Sequence, residues 1–171
     1  MFYTGTFERS LDAKYRVLVP KTVKKSAEAG QEFYLTPGLD QCLELHTMET
    51  LEKRAKEAEN SEARTSSRNS FSRLFFAQAQ KCELDSQCRI RIPKRLVEWA
   101  NLTNRIVILG VGRHWEIWNE ADWSNYYHNH KPDFDAVAQL LLDGEQPHDD
   151  EFGQPQQQLG DSVDTKTKHP K

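Results

Sequence analysis

Two short segments of this chain concentrate basic side chains at a density that would attract a phosphate backbone. Residues 9–25 carry six Lys and Arg against one acidic residue, and residues 81–95 carry five against two. The guanidinium of arginine stays charged at physiological pH, and its planar fork can bind a guanine edge or clamp a phosphate. Attraction to phosphate alone gives weak, unselective binding, so contacts with base edges must add the specificity. The two segments therefore predict contact with DNA.

The same residues also permit two structural interpretations. Arg16 and Asp12 can close a turn as an ion pair, which contributes little stability when it is exposed. A run of lysines on a short helix is usually a solvated face. We assign Asp12 and Asp85 to the turn rather than to DNA, because a carboxylate repels phosphate. Their expected role is an Asx-type hydrogen bond that holds the arginine loop in place.

An internal repeat organises these clusters. The segments LDAKYRVLVPK (Leu11–Lys21) and LDSQCRIRIPK (Leu84–Lys94) align without a gap, 73 residues apart, and are identical at five of eleven positions. The elements that follow recur in the same order, with Pro20 and Pro93 each opening a short helix, since proline suits the first helical position. The repeat therefore spans most of residues 2–127.

Each repeat is predicted to run strand, turn, strand, short helix, strand, turn, strand, helix. Alternation within RVLVP and RIRIP sends one set of side chains to the core and turns the others outward. The residues assigned to the core are Val17, Val19, Ile90 and Ile92. One repeat is small for an independent core, so the two are expected to bury their apolar faces against each other as a pseudo-dimer within one chain.

The segment between the repeats is predicted to be helical. Residues 48–59 are strong helix formers with Thr47 as N-cap, and a polar break spans residues 59–70. A second helix, about 66–78, carries an apolar stripe of Phe71, Leu74 and Phe75. That stripe either packs on the body of the protein or forms a subunit contact.

Composition narrows the remaining function classes. The 171 residues contain no apolar run near the roughly 20 that a membrane span needs, and the start shows no secretory signal, which predicts a cytoplasmic protein. The three cysteines lack the spacing of a zinc site, and no catalytic motif is present. We therefore expect no enzyme activity, metal or cofactor. The net charge of −3 averages a body of +3 (residues 1–132) with a segment of −6 (residues 133–171), whose tail, 143–171, is predicted to be disordered.

Three features make the chain resemble the MraZ family, bacterial regulators of a cell-division and cell-wall gene cluster. They are the Met-Phe start, a D-x-x-x-R-[VIL]-x-[VI]-P box in both halves, and the Trp-Glu-Ile-Trp segment 115–118. The resemblance implies an α+β fold, a duplicated AbrB-like swapped-hairpin β-barrel with flanking helices and a pseudo-twofold within one chain. The expected organisation is a first unit (1–60), a connecting helix (61–80), a second unit (81–142) and the acidic tail.

The resemblance also implies a function and a set of sites. It implies a cytoplasmic, nucleoid-associated transcriptional regulator that assembles into a ring-shaped homo-oligomer and binds direct repeats of double-stranded DNA upstream of its own gene cluster. Carried onto this chain, the boxes give Asp12 and Asp85 as loop-structuring residues. The DNA-binding candidates from the boxes and the adjoining basic clusters are Arg16, Lys14, Arg89, Arg91, Lys21 and Lys24.

Two positions depart from the family pattern. Tyr15 and Cys88 stand where the family usually has glycine before the arginine, and Gln87 stands where a lysine could be. Glycine supplies a positive φ that other residues adopt only at a cost, so a turn of different shape is expected. A turn altered in this way supports an alternative function, a ring-forming protein-interaction module that has lost DNA binding.

Overall fold

The computed structural model describes residues 2–143. The chain divides into two compact units, Met1–Asn129 and His130–Lys171, and both repeats lie in the first. The predicted acidic tail falls outside the described residues from 144 onward. The elements, in chain order, are β1 (Tyr3–Ser10), β2 (Arg16–Leu18), α1 (Lys21–Glu28), β3 (Phe33–Pro37), β4 (Leu43–Thr47), α2 (Met48–Asn60), α3 (Thr65–Phe75), β5 (Gln80–Cys82), β6 (Arg89–Arg91), α4 (Lys94–Trp99), β7 (Arg105–Gly112), β8 (Trp115–Asn119), α5 (Glu120–His130) and α6 (Phe134–Asp143).

The observed order of strands and helices matches the predicted order in both repeats, and the α+β class is confirmed. Thr47 caps α2, with its hydroxyl accepting a hydrogen bond from the Thr50 amide. Pro20 and Pro93 stand one residue before α1 and α4 rather than inside them, each with an extended ψ. The predicted polar break is shorter than expected, because α3 begins at Thr65. A 3₁₀ turn, Phe76–Gln78, completes the second helix.

The two repeats exchange their first strands. Six strands form an antiparallel sheet in the order β1-β7-β8-β4-β3-β5, and β2 pairs with β6 in a separate two-stranded sheet. Strand β1 of the first repeat pairs with β7 of the second, while β5 of the second pairs with β3 of the first. The registers agree as well, since Phe7 opposite Ile108 corresponds to Gln80 opposite Leu35. Neither half can therefore complete its sheet alone. Closure into a barrel stays a prediction.

A pseudo-twofold axis relates the halves and passes through two strand pairs. In the two-stranded sheet Val17 lies opposite Ile90, its equivalent in the other repeat. In the large sheet Glu44 lies opposite Glu116, again its equivalent. Equivalent residues thus contact each other at the axis, which is the arrangement of a dimer folded from one chain.

The main core lies between the sheets. All four residues assigned to it from the alternation are buried, and they pack with Trp115, which is fully buried. Trp115 contacts the rings of Tyr3 and Phe7 on β1, with centroids 5.1 and 5.8 Å away. Packing on this indole therefore ties the exchanged strand β1 to the centre of the sheet.

The outer face of the large sheet differs between the repeats. In the second repeat, Trp118 forms a small apolar cluster with Cys42, Val107 and Leu109, and Trp123 of α5 contacts its ring. In the first repeat, the corresponding region carries Glu44 and His46, both buried. Phe75 of α3 packs edge-on against His46 and is buried, whereas Leu74 is exposed, so only part of the predicted stripe packs on the body.

The second unit contains α6. Its exposed apolar side chains are Phe134, Val137, Leu141 and Leu142, and the first three recur with helical spacing on one side. Within residues 2–143, no helix is long and apolar enough to cross a membrane.

Candidate nucleic-acid interface

The two D-x-x-x-R boxes form two short loops with the same hydrogen bonds. The first loop, residues 12–16, joins β1 to β2. Asp12 Oδ1 accepts hydrogen bonds from the amides of Lys14 and Arg16, both at 2.9 Å. Asp12 Oδ2 lies 2.8 Å from Arg16 Nε and 2.7 Å from Nη2. One carboxylate therefore fixes both the backbone of the turn and the guanidinium that follows it.

The second loop, residues 85–89, joins β5 to β6 and repeats this geometry. Asp85 Oδ1 accepts from the amides of Gln87 and Arg89 at 2.9 and 3.0 Å. Asp85 Oδ2 lies 2.8 Å from both Nε and Nη2 of Arg89. The spacing of three residues between Asp and Arg is what lets one side chain reach both groups.

Tyr15 and Cys88 adopt the backbone conformation that glycine would provide. Their φ angles are 58° and 60°, in the left-handed region that costs an L-residue about 1–2 kcal/mol. The amide of each donates to the carbonyl of its own loop's aspartate at 2.9 Å. The expected change in turn shape is therefore wrong: the hydrogen bonds of the aspartate hold the turn despite the side chain.

The two loops contact each other across the pseudo-twofold. The Ile92 amide donates to the Tyr15 carbonyl at 2.8 Å, and the Val19 amide donates to the Cys88 carbonyl at 3.2 Å. We call these two loops, residues 12–16 and 85–89, the paired loops. The backbone bonds between each loop and the other repeat make them a single structural unit.

The charged side chains of the paired loops form one four-membered cluster. Besides its own carboxylate, Arg16 Nη1 lies 3.9 Å from Asp85 Oδ2, and Arg89 Nη1 lies 3.7 Å from Asp12 Oδ2. The side chains are 23–33% exposed, so the cluster is screened only in part by solvent. Sequence reasoning gave each Asp–Arg pair but not the cross-loop contacts, which depend on the antiparallel β2–β6 register.

The arginines hold both carboxylates in the ionised form. Hydrogen bonding from the Arg16 side chain and then from its backbone amide lowers the pKa of Asp12 to about 2. Hydrogen bonds from Arg89 likewise lower the pKa of Asp85. At neutral pH the cluster therefore contains two positive and two negative charges, and much of each guanidinium is already engaged.

The remaining candidates lie around this cluster and differ in how free they are. Lys14, Lys21 and Arg91 are exposed, at the first loop, the start of α1 and the end of β6. Lys24 is half-buried, with Nζ 3.6 Å from Glu28 Oε1. The nearby Cys88 thiol, and then Glu28, raise its pKa. The surface around the paired loops is thus basic while the loops themselves are neutral overall.

Comparison with known proteins covers both repeats. The family model described as "MraZ protein, putative antitoxin-like" matches residues 2–72 and 75–144. This chain belongs to the MraZ family. Its two repeats are the two copies of the MraZ unit, and the D-x-x-x-R boxes occupy equivalent places in them.

Individual MraZ relatives match over nearly their whole length. Proteins named transcriptional regulator MraZ from Natranaerobius thermophilus and Carboxydothermus hydrogenoformans are each 35% identical, over 141 and 146 residues. One from Alkaliphilus oremlandii is 36% identical over 146 residues. Each alignment covers 82% of this chain and 97% of the relative.

Proposed function

We propose that this chain is a sequence-specific DNA-binding transcriptional regulator, acting in the cytoplasm at the nucleoid, that contacts DNA through the paired loops. The observation that carries the proposal is the joining of both boxes into one rigid unit surrounded by exposed cations. The names of the MraZ relatives support transcriptional regulation, and the family resemblance implies that the target is a set of direct repeats upstream of the chain's own cell-division and cell-wall gene cluster.

The charges assign different tasks to the candidate residues. Lys14, Lys21, Lys24 and Arg91 supply attraction to phosphates, which fixes position and makes binding fall steeply with salt. Arg16 and Arg89 fix the shape of the loops through their carboxylates and present their remaining N–H groups at the surface. Since a charge-assisted bond from guanidinium to carboxylate is strong, the loop conformation exists before DNA arrives, so little ordering entropy is lost on binding.

A ring of subunits would strengthen such binding. One pair of short loops makes few contacts, but tandem DNA repeats can engage several subunits, and every contact after the first is then effectively intramolecular. Exposed apolar side chains support self-association: Leu39 and Leu74 are 70% and 53% exposed beside half-buried Phe71. Large exposed apolar patches usually mark interaction surfaces. A strictly monomeric protein at working concentrations would contradict the ring.

The experiment that tests the function is a gel-shift titration with the DNA upstream of this chain's own gene and unrelated DNA as competitor. Wild type should shift the upstream fragment selectively, and Arg16→Ala or Arg89→Ala should weaken the shift by at least 10-fold. Arg113→Ala is the matched control, because Arg113 is exposed at the opposite end of the β1–β7 ladder, about 24 Å away at 3.4 Å per residue.

The main alternative is a ring-forming protein-interaction module without DNA binding. Its basis was an altered turn at Tyr15 and Cys88, and both residues keep the left-handed backbone. A chain that forms an oligomer but binds upstream and unrelated DNA equally weakly would favour this alternative. Salt separates the two, since an apolar protein interface does not lose affinity steeply as ionic strength rises.

A further inference from the structure

The tips of the paired loops carry different side chains at equivalent places. Lys14 in the first loop corresponds to Gln87 in the second, 73 residues later. The two backbone amides make the same bond, donating to the aspartate of their own loop at 2.9 Å. The pseudo-twofold thus places a lysine and a glutamine at matching positions on one surface.

Both tip side chains are free to meet a ligand. Lys14 and Gln87 are exposed, and so are their neighbours Ala13 and Ser86. Within residues 2–143, neither tip side chain makes a hydrogen bond or an ion pair, in contrast to Arg16 and Arg89, whose Nε and Nη2 are both engaged by carboxylates. The tips therefore carry the side-chain donors and acceptors that the fold itself leaves unused.

The two tips suit different parts of DNA. A lysine ammonium is a point charge that contacts a phosphate or a guanine edge without fixed geometry. A glutamine amide carries no charge to attract phosphate, but it offers a donor and an acceptor side by side, which match N7 and N6 of adenine in the major groove. A neutral amide on an otherwise basic surface is therefore placed to read a base rather than to add attraction.

We propose that Gln87 is a specificity-determining residue that hydrogen-bonds an adenine edge, while Lys14 at the equivalent tip adds attraction without selecting sequence. The inference rests on the proposed DNA-binding function and deepens it. It predicts that the two halves of one subunit make unlike contacts with their target, although their loop backbones match.

The test measures dissociation constants by fluorescence anisotropy for the upstream fragment and for unrelated DNA, over a series of salt concentrations. Gln87→Ala should lower the ratio of specific to unspecific affinity about 10-fold while leaving unspecific affinity and salt slope unchanged. Lys14→Ala should weaken both affinities and reduce the salt slope by about 1. Ser86→Ala, at the neighbouring exposed position, is the control and should match wild type.

Modified DNA identifies the contact itself. Replacing adenines of the target one at a time with 7-deazaadenine removes the N7 acceptor. Wild type should lose affinity at one adenine of the repeat, and Gln87→Ala should be insensitive to that replacement. A Gln87→Ala ratio within twofold of wild type, or a loss that follows Lys14→Ala for both DNAs, would overturn the assignment.

The outcomes separate this inference from the proposed function. If wild type discriminates the upstream fragment and Gln87→Ala does so equally well, only the role of Gln87 is wrong. If wild type does not discriminate at all, the proposed function and the role of Gln87 fail together. Thermal unfolding of each variant guards against misfolding, which is not expected because neither tip side chain contacts the protein.

Discussion

The two repeats are most alike at the paired loops and least alike on the outer face of the large sheet. In the loops, the aspartate makes the same bonds in each repeat, with lengths that agree within 0.1 Å. On the outer face, Glu44 and its equivalent Glu116 lie opposite each other but have unlike partners. Glu44 pairs with His46 and Arg54, at 2.7 and 3.1 Å, whereas Glu116 accepts from the indole of Trp118 at 2.8 Å.

Contact across the pseudo-twofold explains this difference. Each loop bonds to the other repeat, so a change in one loop must suit both. The outer face has no such constraint, because α2 and α3 cover it in the first repeat and α5 covers it in the second. Duplication therefore preserved the loops in shape while the coverings diverged, and the loop tips, which contact nothing in the protein, were also free to differ.

The largest expected effect concerns the shared inner face. Trp115→Ala removes a fully buried indole that packs against Tyr3 and Phe7 of the exchanged strand. Unfolding free energy should fall by about 3–5 kcal/mol, measured by urea titration. Trp123→Ala, at a half-buried outer-face position, should cost less than half as much. Equal losses would mean that the inner face does not hold the repeats together.

An intermediate effect concerns pH and the outer face of the first repeat. Burial lowers the pKa of His46 below its ordinary value of 6.5, an effect that the Glu44 hydrogen bond opposes and that His114 and Arg54 reinforce. The native state then binds fewer protons than the unfolded state, so stability present above pH 6.5 is lost as pH falls. One proton limits the slope to about 1.4 kcal/mol per pH unit.

Urea titrations between pH 7.5 and 5 check this. Wild type should lose stability more steeply than His46→Asn, which cannot take up the proton. Variation at Trp118, which occupies the equivalent position in the second repeat, should leave the wild-type slope unchanged. Parallel curves for wild type and His46→Asn would show that the buried imidazole is not responsible for acid sensitivity.

The smallest expected effect distinguishes the two left-handed loop residues. Cys88→Gly relieves a φ of 60° and should stabilise the protein by up to about 1 kcal/mol, since the cost of the left-handed backbone exceeds the extra entropy of unfolded glycine. Tyr15→Gly relieves the same strain but removes a half-buried ring packed against the core, so it should destabilise. Thermal melts giving shifts of the same sign would contradict the comparison.

Much of the fold follows from the sequence because the repeat makes each half evidence for the other. The alternation in RVLVP and RIRIP identified all four core residues, and proline and Thr47 located helix starts to within a residue. The exchange of β1 and β5 between repeats was implied only by the resemblance, because periodicity does not name a strand's partner. Burial of Glu44 and His46 was not anticipated, since it depends on α2 and α3 packing over the sheet.

The site was predictable to the level of residue pairs. The D-x-x-x-R spacing gave each aspartate its arginine, but the cross-loop contacts of 3.7 and 3.9 Å require the β2–β6 register. The conformation of Tyr15 and Cys88 ran against local backbone preference. Several hydrogen bonds to one carboxylate outweigh that preference, and they exist only in the folded loop.

The central claim, that the paired loops bind DNA as one unit, is tested most directly by a double-mutant cycle in DNA affinity. Arg16→Ala, Arg89→Ala and the double variant are titrated against the upstream fragment and unrelated DNA by fluorescence anisotropy. Each single variant should lose nearly as much specific affinity as the double, because each guanidinium also faces the other loop's carboxylate. Losses that simply add, or a wild type that binds both DNAs equally, would contradict it.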